Sequence, residues 1–524
     1  MIKSSIITLE DFSGGLNTKT GTMQIGINES PNCLNCHSNL FKSLQWRNGS
    51  AYLNPLALPE TKGNGTYVYP YWSGSTLLER LIGFWDAKMY GMNNLDGSWF
   101  NIPFATAQAD DEFDATIYSN ATQNFFITSN YQLTPLQVYN GSTVSNLNSS
   151  VLTAARHVIA WKGHLWCTYT KETGVEYPYR LRRTDIRTYG SNATDWTAGV
   201  SGYDDVVTDD GDYTTGFAIL RGFLYLFKRY SIFRVSYLGG SPLTEIRQIS
   251  SIGTEAHKSI TNITLLNGDE IITFLGTDNR IYIFNGYNAP QPISELVSED
   301  NGVSNYSLPK VNKGQHRKAV GIDYDRRHWY VIFTTFGNSA TQNNGGYIID
   351  YYTTPFSIFP FDGWNASGAV IATDANGNRN LYFQGYDGRM RQADTGDSDC
   401  GTAINSYYET SKMKVDKVPA LKKTQQAQPL FKTTGNYDIT FGYRTNFNAG
   451  YVDSSVNLFG TGFVLGSSIL GNGTLGGTEG KIGVIDIPKL FNFLQFRLLS
   501  NDTNPRMNMY TIDLMATSEG IAKT

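Results

Sequence analysis

The sequence predicts an all-β fold: a β-propeller of about seven blades with an N-terminal arm and a C-terminal β-sandwich-like region. Three observations carry this. Paired runs of alternating apolar residues, separated by Gly, Asn and Asp turns, recur between residues 66 and 396 at intervals of about 35 to 50 residues, the length of one propeller blade. The composition suits half-buried pleats joined by tight turns, with 33 Tyr, 28 Phe, 52 Gly and only 17% charged residues. An average soluble domain holds about 25% charged residues. No long stretch of helical periodicity interrupts the pattern.

Residues 1–60 read as the arm. Phe12-Ser13-Gly14-Gly15-Leu16-Asn17-Thr18 sets two adjacent glycines where the backbone needs conformations closed to other residues, and the chain then runs through Asn32-Cys33 to Leu44-Gln45-Trp46-Arg47-Asn48-Gly49. Residues 61–400 form the propeller, with units at 67–104, 115–147, 154–196, 213–249, 260–293, 319–361 and 366–393. The runs GFLYLFKRYSIFRVSY, GDEIITFLGTDNRIYIFNG and RHWYVIFTT show the turns and paired strands of such units. The units share little identity, so six blades is the alternative count, the N-terminal segment then completing a blade.

Residues 401–524 change in composition. Lys412, Lys414, Lys417, Lys422, Lys423 and Lys432 punctuate strands such as residues 437–443, and lysines on solvated strand edges oppose unwanted pairing. Residues 458–480 hold eight glycines among aliphatic side chains, with no charge before Glu479. Such a segment is either a mobile loop or a place where another chain approaches closely. Leu458, Gly460, Gly462, Gly466, Gly471, Gly473, Gly476 and Gly477 are therefore the candidate subunit-contact or channel residues. Residues 491–515 read as a hairpin turning at 500–505.

Residues 155–199 show one unit whole. Val158 to Trp161 is apolar, Lys162-Gly163 turns, and His164 to Thr170 returns; Tyr179-Arg180-Leu181-Arg182, Asp185-Ile186 and a closing Asp195-Trp196 follow. This order resembles the β-propeller proteins of bacteriophage tails, especially the nozzle (tail tubular) proteins of short-tailed phages. The Ser-Gly-Gly-Leu-Asn-Thr opening at 13–18 and the later Arg47-Asn48-Gly49 are similar to that family's opening, with Asn48 where the family has Pro. Gly385-Tyr386-Asp387-Gly388, Gln392-Ala393-Asp394-Thr395-Gly396 and the run from Ala403 to Thr410 resemble its propeller end and exit strand. The resemblance covers residues 12–50 and 152–415. It implies a structural virion protein rather than an enzyme: a homo-hexameric ring in the tail, forming part of the conduit for DNA ejection. Its implied partners are an adaptor above, fibres or a tail tip below, and DNA passing without sequence-specific binding. Its implied location is the virion, assembled in the host cytoplasm. A receptor-binding or fibre-anchoring tail protein is the alternative, and a carbohydrate-active propeller enzyme the second alternative.

The remaining chemistry is sparse. A net charge of −4 gives no global attraction to nucleic acid or anionic membrane. No apolar run approaches the roughly 18 residues of a membrane span. Cys33-Leu34-Asn35-Cys36-His37 matches the letters of a haem attachment site, but no axial ligand or helical scaffold accompanies it, and no second Cys/His pair completes a zinc site. No cofactor or metal is expected. The sequence shows no P-loop, nucleophile elbow, H-E-x-x-H or dinucleotide fingerprint. Asp204, Asp205, Asp209, Asp210 and Asp212 lack the spacing of a calcium loop and read as a solvated turn. Asp185, Asp195, Asp278, Asp323 and Asp387 are numerous enough to build the carboxylate pair of a glycosidase, if two of them face the axis.

Overall fold

The computed structural model describes residues 4–19, 21–74, 76–120, 122–147, 151–297, 311–337, 339–414, 420–432, 437–446, 448, 450–458, 480–487, 490–503 and 507–521. Each of the seven predicted units folds as a four-stranded antiparallel sheet. The hairpin Leu152–Trp161 to His164–Glu172 shows why. Lys162 and Gly163 both take positive φ, 52° and 78°, and Trp161 pairs with His164, which gives the two-residue turn whose twist matches its strands. Blade 1 is Gly63–Ser73, Thr76–Trp85, Lys88–Asn93 and Phe100–Ile102. Blades 2 to 6 repeat the order, with first strands Phe113–Ser119, Leu152–Trp161, Thr214–Leu220, Thr261–Thr264 and Val320–Tyr324. Blade 7 joins Gly368–Thr373, Arg379–Gln384 and Met390–Ala393 to the N-terminal strand Ser50–Tyr52. The N-terminal segment thus completes a blade, but the seventh.

The first strand of each blade lies innermost, and neighbouring inner strands are stitched around the axis. Tyr67 donates to the carbonyl of Phe113, the Ala160 amide to Thr116, Asn262 to the carbonyl of Ile219, and Thr261 to that of Gly321. The ring closes between blades 7 and 1, where a Cβ on Gly368 would stand 2.9 Å from the Thr66 nitrogen. Aromatic pairs fill the space between blades, including Phe84 against Phe113 at 4.3 Å and Phe227 against Phe274 at 5.4 Å.

The C-terminal region is a sandwich of an eight-stranded and a six-stranded sheet, and the N-terminal arm is woven into both. Ser4–Leu9 pairs with Asn508–Ile521 in the larger sheet, and Asn32–Leu34 with Ile404–Glu409 in the smaller. The apolar core between them includes Leu44, Trp46, Phe431, Phe441 and Met509. Two expectations change here. Residues 491–515 are not a hairpin: Phe493–Asp502 pairs within the smaller sheet and Asn508–Ile521 within the larger. Both strands carry apolar faces, and a sandwich buries them by setting the strands in opposite sheets rather than side by side. Ala420–Lys432 is no edge strand either, since it pairs on both flanks; Lys423 reaches water from a face of the sheet.

Arg47 ties sandwich to ring. It is 2% exposed, pairs with Asp399 at 2.7 Å, donates to the carbonyl of Asp362, and stacks 4.5 Å from the Trp364 ring.

Candidate functional site at the propeller axis

In an antiparallel meander, the chain leading into the inner strand and the loop between the second and third strands open on the same face of the ring. On the axis lies a cavity of about 340 Å³, lined from all seven blades. That is the low end of the roughly 300–1,000 Å³ typical of small-molecule pockets.

Its polar wall comes from the lead-ins of blades 2 and 5. Glu112 and Asp114 flank Phe113, whose ring turns into the blade core; Asp114 lines the cavity, and Glu112, on the same side of an extended chain, lies behind it beside the lining residues His257 and Lys258. Glu112 is 7% exposed, and its Oε2 has no hydrogen-bond partner among the described residues. His257 Nδ1 stands 3.7 Å from that oxygen and Lys258 Nζ 4.0 Å. Leaving a buried acceptor unmatched costs about 1–3 kcal/mol, so such an atom marks a place where a ligand donor fits. Asp114 is more fixed, accepting from the amides of Ala115 and Val158 and lying 3.3 Å from His157 Nδ1.

Burial sets the charge states around this wall. It pushes the His257 imidazole well below the usual histidine range, with His157, 4.7 Å away ring to ring, adding to the effect. Burial also lowers the Lys258 ammonium, against the pull of Glu112. At the rim, burial opposes protonation of His316, but its contact with Glu255 at 3.0 Å leaves its pKa raised, and that contact lowers Glu255 in turn. The axis therefore offers the Asp114 carboxylate, an amine donor that releases its proton more readily than usual, and a neutral imidazole within one small cavity, with the Glu112 carboxylate beside the last two.

The predicted site residues fall elsewhere. Leu458 is buried in the sandwich core, while Gly460, Gly462, Gly466, Gly471, Gly473, Gly476 and Gly477 lie outside the described residues. Of the acids proposed for the axis, Asp185 and Asp195 hold loop amides, Asp278 accepts from Tyr282, Asp323 from Tyr351, and Asp387 from Arg391. None of the five lines the axial cavity. Asp204 and Asp205 pair from a strand with Arg183 and Arg180, while Asp209 and Asp210 lie in an exposed bend, where Asp210 also pairs with Lys228, so the expected solvated turn holds for those two. Cys33 and Cys36 are buried in short strands of opposite sheets, and burial holds the His37 ring at a pKa of about 4. The residues missed were Glu112, Asp114 and Lys258. Their signal was the acidic run Asp110-Asp111-Glu112-Phe113-Asp114 directly ahead of an inner strand.

No family model matches the chain, and no curated protein matches it in sequence. Similar solved structures include an exo-beta-1,3-galactanase from Phanerochaete chrysosporium, 10% identical over 76% of this chain and 95% of that one, with a TM-score of 0.24. Others are the N-terminal domain of Nup159, at 12% identity over 66% and 95% with a TM-score of 0.34, and a glycoside hydrolase, at 10% over 88% and 99% with a TM-score of 0.27. These likenesses assign no activity. They do correct the expectation of a nozzle-type tail ring with no enzymatic role: the structures named are glycoside hydrolases and a nucleoporin domain, with no tail nozzle among them. The conduit, DNA-ejection and non-enzyme readings are set aside.

Proposed function

We propose that the chain is a carbohydrate-active propeller protein that takes a saccharide into its axial cavity. The observation that supports this reading most is a cavity lined by Asp114, His257 and Lys258 and backed by a buried Glu112 oxygen that accepts no hydrogen bond among the described residues. Sugar hydroxyls both donate and accept, so they match a wall that pairs carboxylates with an amine. Tyr67 and Phe217 in the lining supply apolar surface for a sugar ring. Two carboxylates are also the equipment of glycoside hydrolysis, one passing a proton to the leaving oxygen and the other assisting at the anomeric carbon. Asp114, fixed by two amides, takes the assisting role, and Glu112 the proton transfer. The motifs similar to phage tail propellers support a place in a tail, where such a site meets glycans of the host surface.

A glycan array and a reducing-sugar assay test the reading on wild type, Glu112→Gln and Asp114→Asn. Wild type should bind a defined subset of glycans and release sugar, and both variants should lose release while melting normally. Absence of binding and release across a broad panel would overturn the proposal.

A further inference from the structure

The saccharide reading leaves unused one cluster that lies outside the cavity lining but touches the residues beside its polar wall. Arg156, on the inner strand of blade 3, holds its guanidinium carbon 3.5 Å from the centroid of the Tyr169 ring and 4.1 Å from that of Tyr131. Arg317, in the turn Lys313–Lys318 ahead of blade 6, lies 3.9 Å from the same Tyr131 ring. The contacts run continuously into the polar wall. Arg317 Nη2 is 3.5 Å from Asp111, the neighbour of Glu112, and His157, next to Arg156, touches both Asp114 and the ring of His257.

The two arginines are equipped differently. Arg317 is balanced by Asp111, whose other oxygen accepts from Gln132. Arg156 has no carboxylate at ion-pairing distance among the described residues, and its Nε is buried without a hydrogen-bond partner, as is Nη1 of Arg317. Aromatic faces hold a guanidinium flat and only weakly hydrated while leaving its N–H edge free. A flat, uncompensated guanidinium with an unused donor matches an oxyanion, which accepts paired N–H bonds.

We propose that Arg156, assisted by Arg317, is an anion-recognising subsite of the axial pocket, so that the saccharide bound there is acidic, carrying a carboxylate or a sulfate ester. This rests on the saccharide reading of the same pocket. The anionic substituent sits against Arg156, and the neighbouring neutral sugar reaches Glu112 and Asp114. Lysine at position 156 would keep the charge but lose the planar fork.

The test measures binding of matched oligosaccharides that share one backbone in neutral, uronate-bearing and sulfated forms. Wild type, Arg156→Gln and Arg156→Lys are compared, with thermal melting as the folding check. Wild type should prefer an acidic form over the neutral one by about tenfold or more, with affinity falling as salt rises because the contact is between charges. Whether uronate or sulfate is preferred identifies the anion. Arg156→Gln should erase the preference and Arg156→Lys reduce it. Equal affinity of wild type for neutral and acidic forms, no salt dependence, or a preference that survives in Arg156→Gln overturns the subsite and leaves the saccharide reading standing. Binding of no member of any backbone series overturns both. Should the variants fail to fold, the salt dependence and the acidic preference of wild type still decide.

Discussion

The ring and the sandwich are built from the same kind of sheet but hide their interiors differently. In the ring, strands adjacent in sequence pair through short turns, and seven inner strands converge on an axis they cannot fill. Polar groups collect there: Asp114, His257 and Lys258 line the cavity, and the buried Glu112 carboxylate stands beside the last two. In the sandwich, pairing is remote: Ser4 lies opposite Thr517 and Leu34 opposite Tyr407, around a core of Leu, Phe, Trp and Met. Local pairing leaves a hole to furnish with chemistry, whereas remote pairing closes its interior and serves to hold the chain's two ends together.

The junction between the two regions offers the largest break in that comparison. Replacing Arg47 by Ala strips the partner from Asp399 and empties a site under Trp364, and breaking such a buried pair costs about 3–5 kcal/mol. Denaturant unfolding followed by tryptophan fluorescence should show that loss; under about 1 kcal/mol would mean that ring and sandwich are only loosely joined. Next comes ring closure. Gly368→Ala drives a methyl against the backbone of blade 1 and should cost about 1–3 kcal/mol in thermal melting.

Blade 6 sharpens the contrast through pH. Burial pushes the Asp350 carboxyl up to about 6, and the amide of Tyr352 is the donor that opposes the shift. An unfolded aspartate titrates near 4, so the folded chain holds more protons between about 4 and 6. Stability contributed by the protonated group is full below that window, falls as pH rises through it, and levels above it. Asp350→Asn should flatten this fall and raise stability at neutral pH by on the order of 1–2 kcal/mol, read as melting temperature against pH. The smallest effect belongs to the sandwich surface. Arg497 and Asp453 are 2.6 Å apart but 25% and 39% exposed, so Asp453→Asn should shift stability by under about 1 kcal/mol, vanishing in high salt.

Legibility followed locality. All seven predicted units are blades, because each unit's periodicity and turns lie within one short stretch of sequence. The use of Ser50–Tyr52 to finish blade 7, and of Ser4–Leu9, Asn32–Leu34 and Leu44–Trp46 as sandwich strands, joins segments hundreds of positions apart, which no local pattern encodes. The same holds for residues 491–515, whose strand pattern was readable but whose partners were not. The axial site was hidden by a small error of boundary. The sequence pattern starts unit 2 at Ala115, one residue after Asp114, which leaves the acidic lead-in outside every unit, whereas the inner strand begins at Phe113. The closing of Lys258 onto Glu112 required a ring geometry that no single unit contains.

The central claim is that the chemistry resides at the axis and not on the sandwich. Release of reducing sugar from the best-bound glycan should be compared among wild type, the double variant Glu112→Gln/Asp114→Asn, and Lys423→Ala on the sandwich's exposed face. The account predicts loss of about a hundredfold or more in the axial variant, the usual scale for removing acid–base groups, with Lys423→Ala matching wild type. Undiminished release by the axial variant, or loss confined to Lys423→Ala, would contradict it.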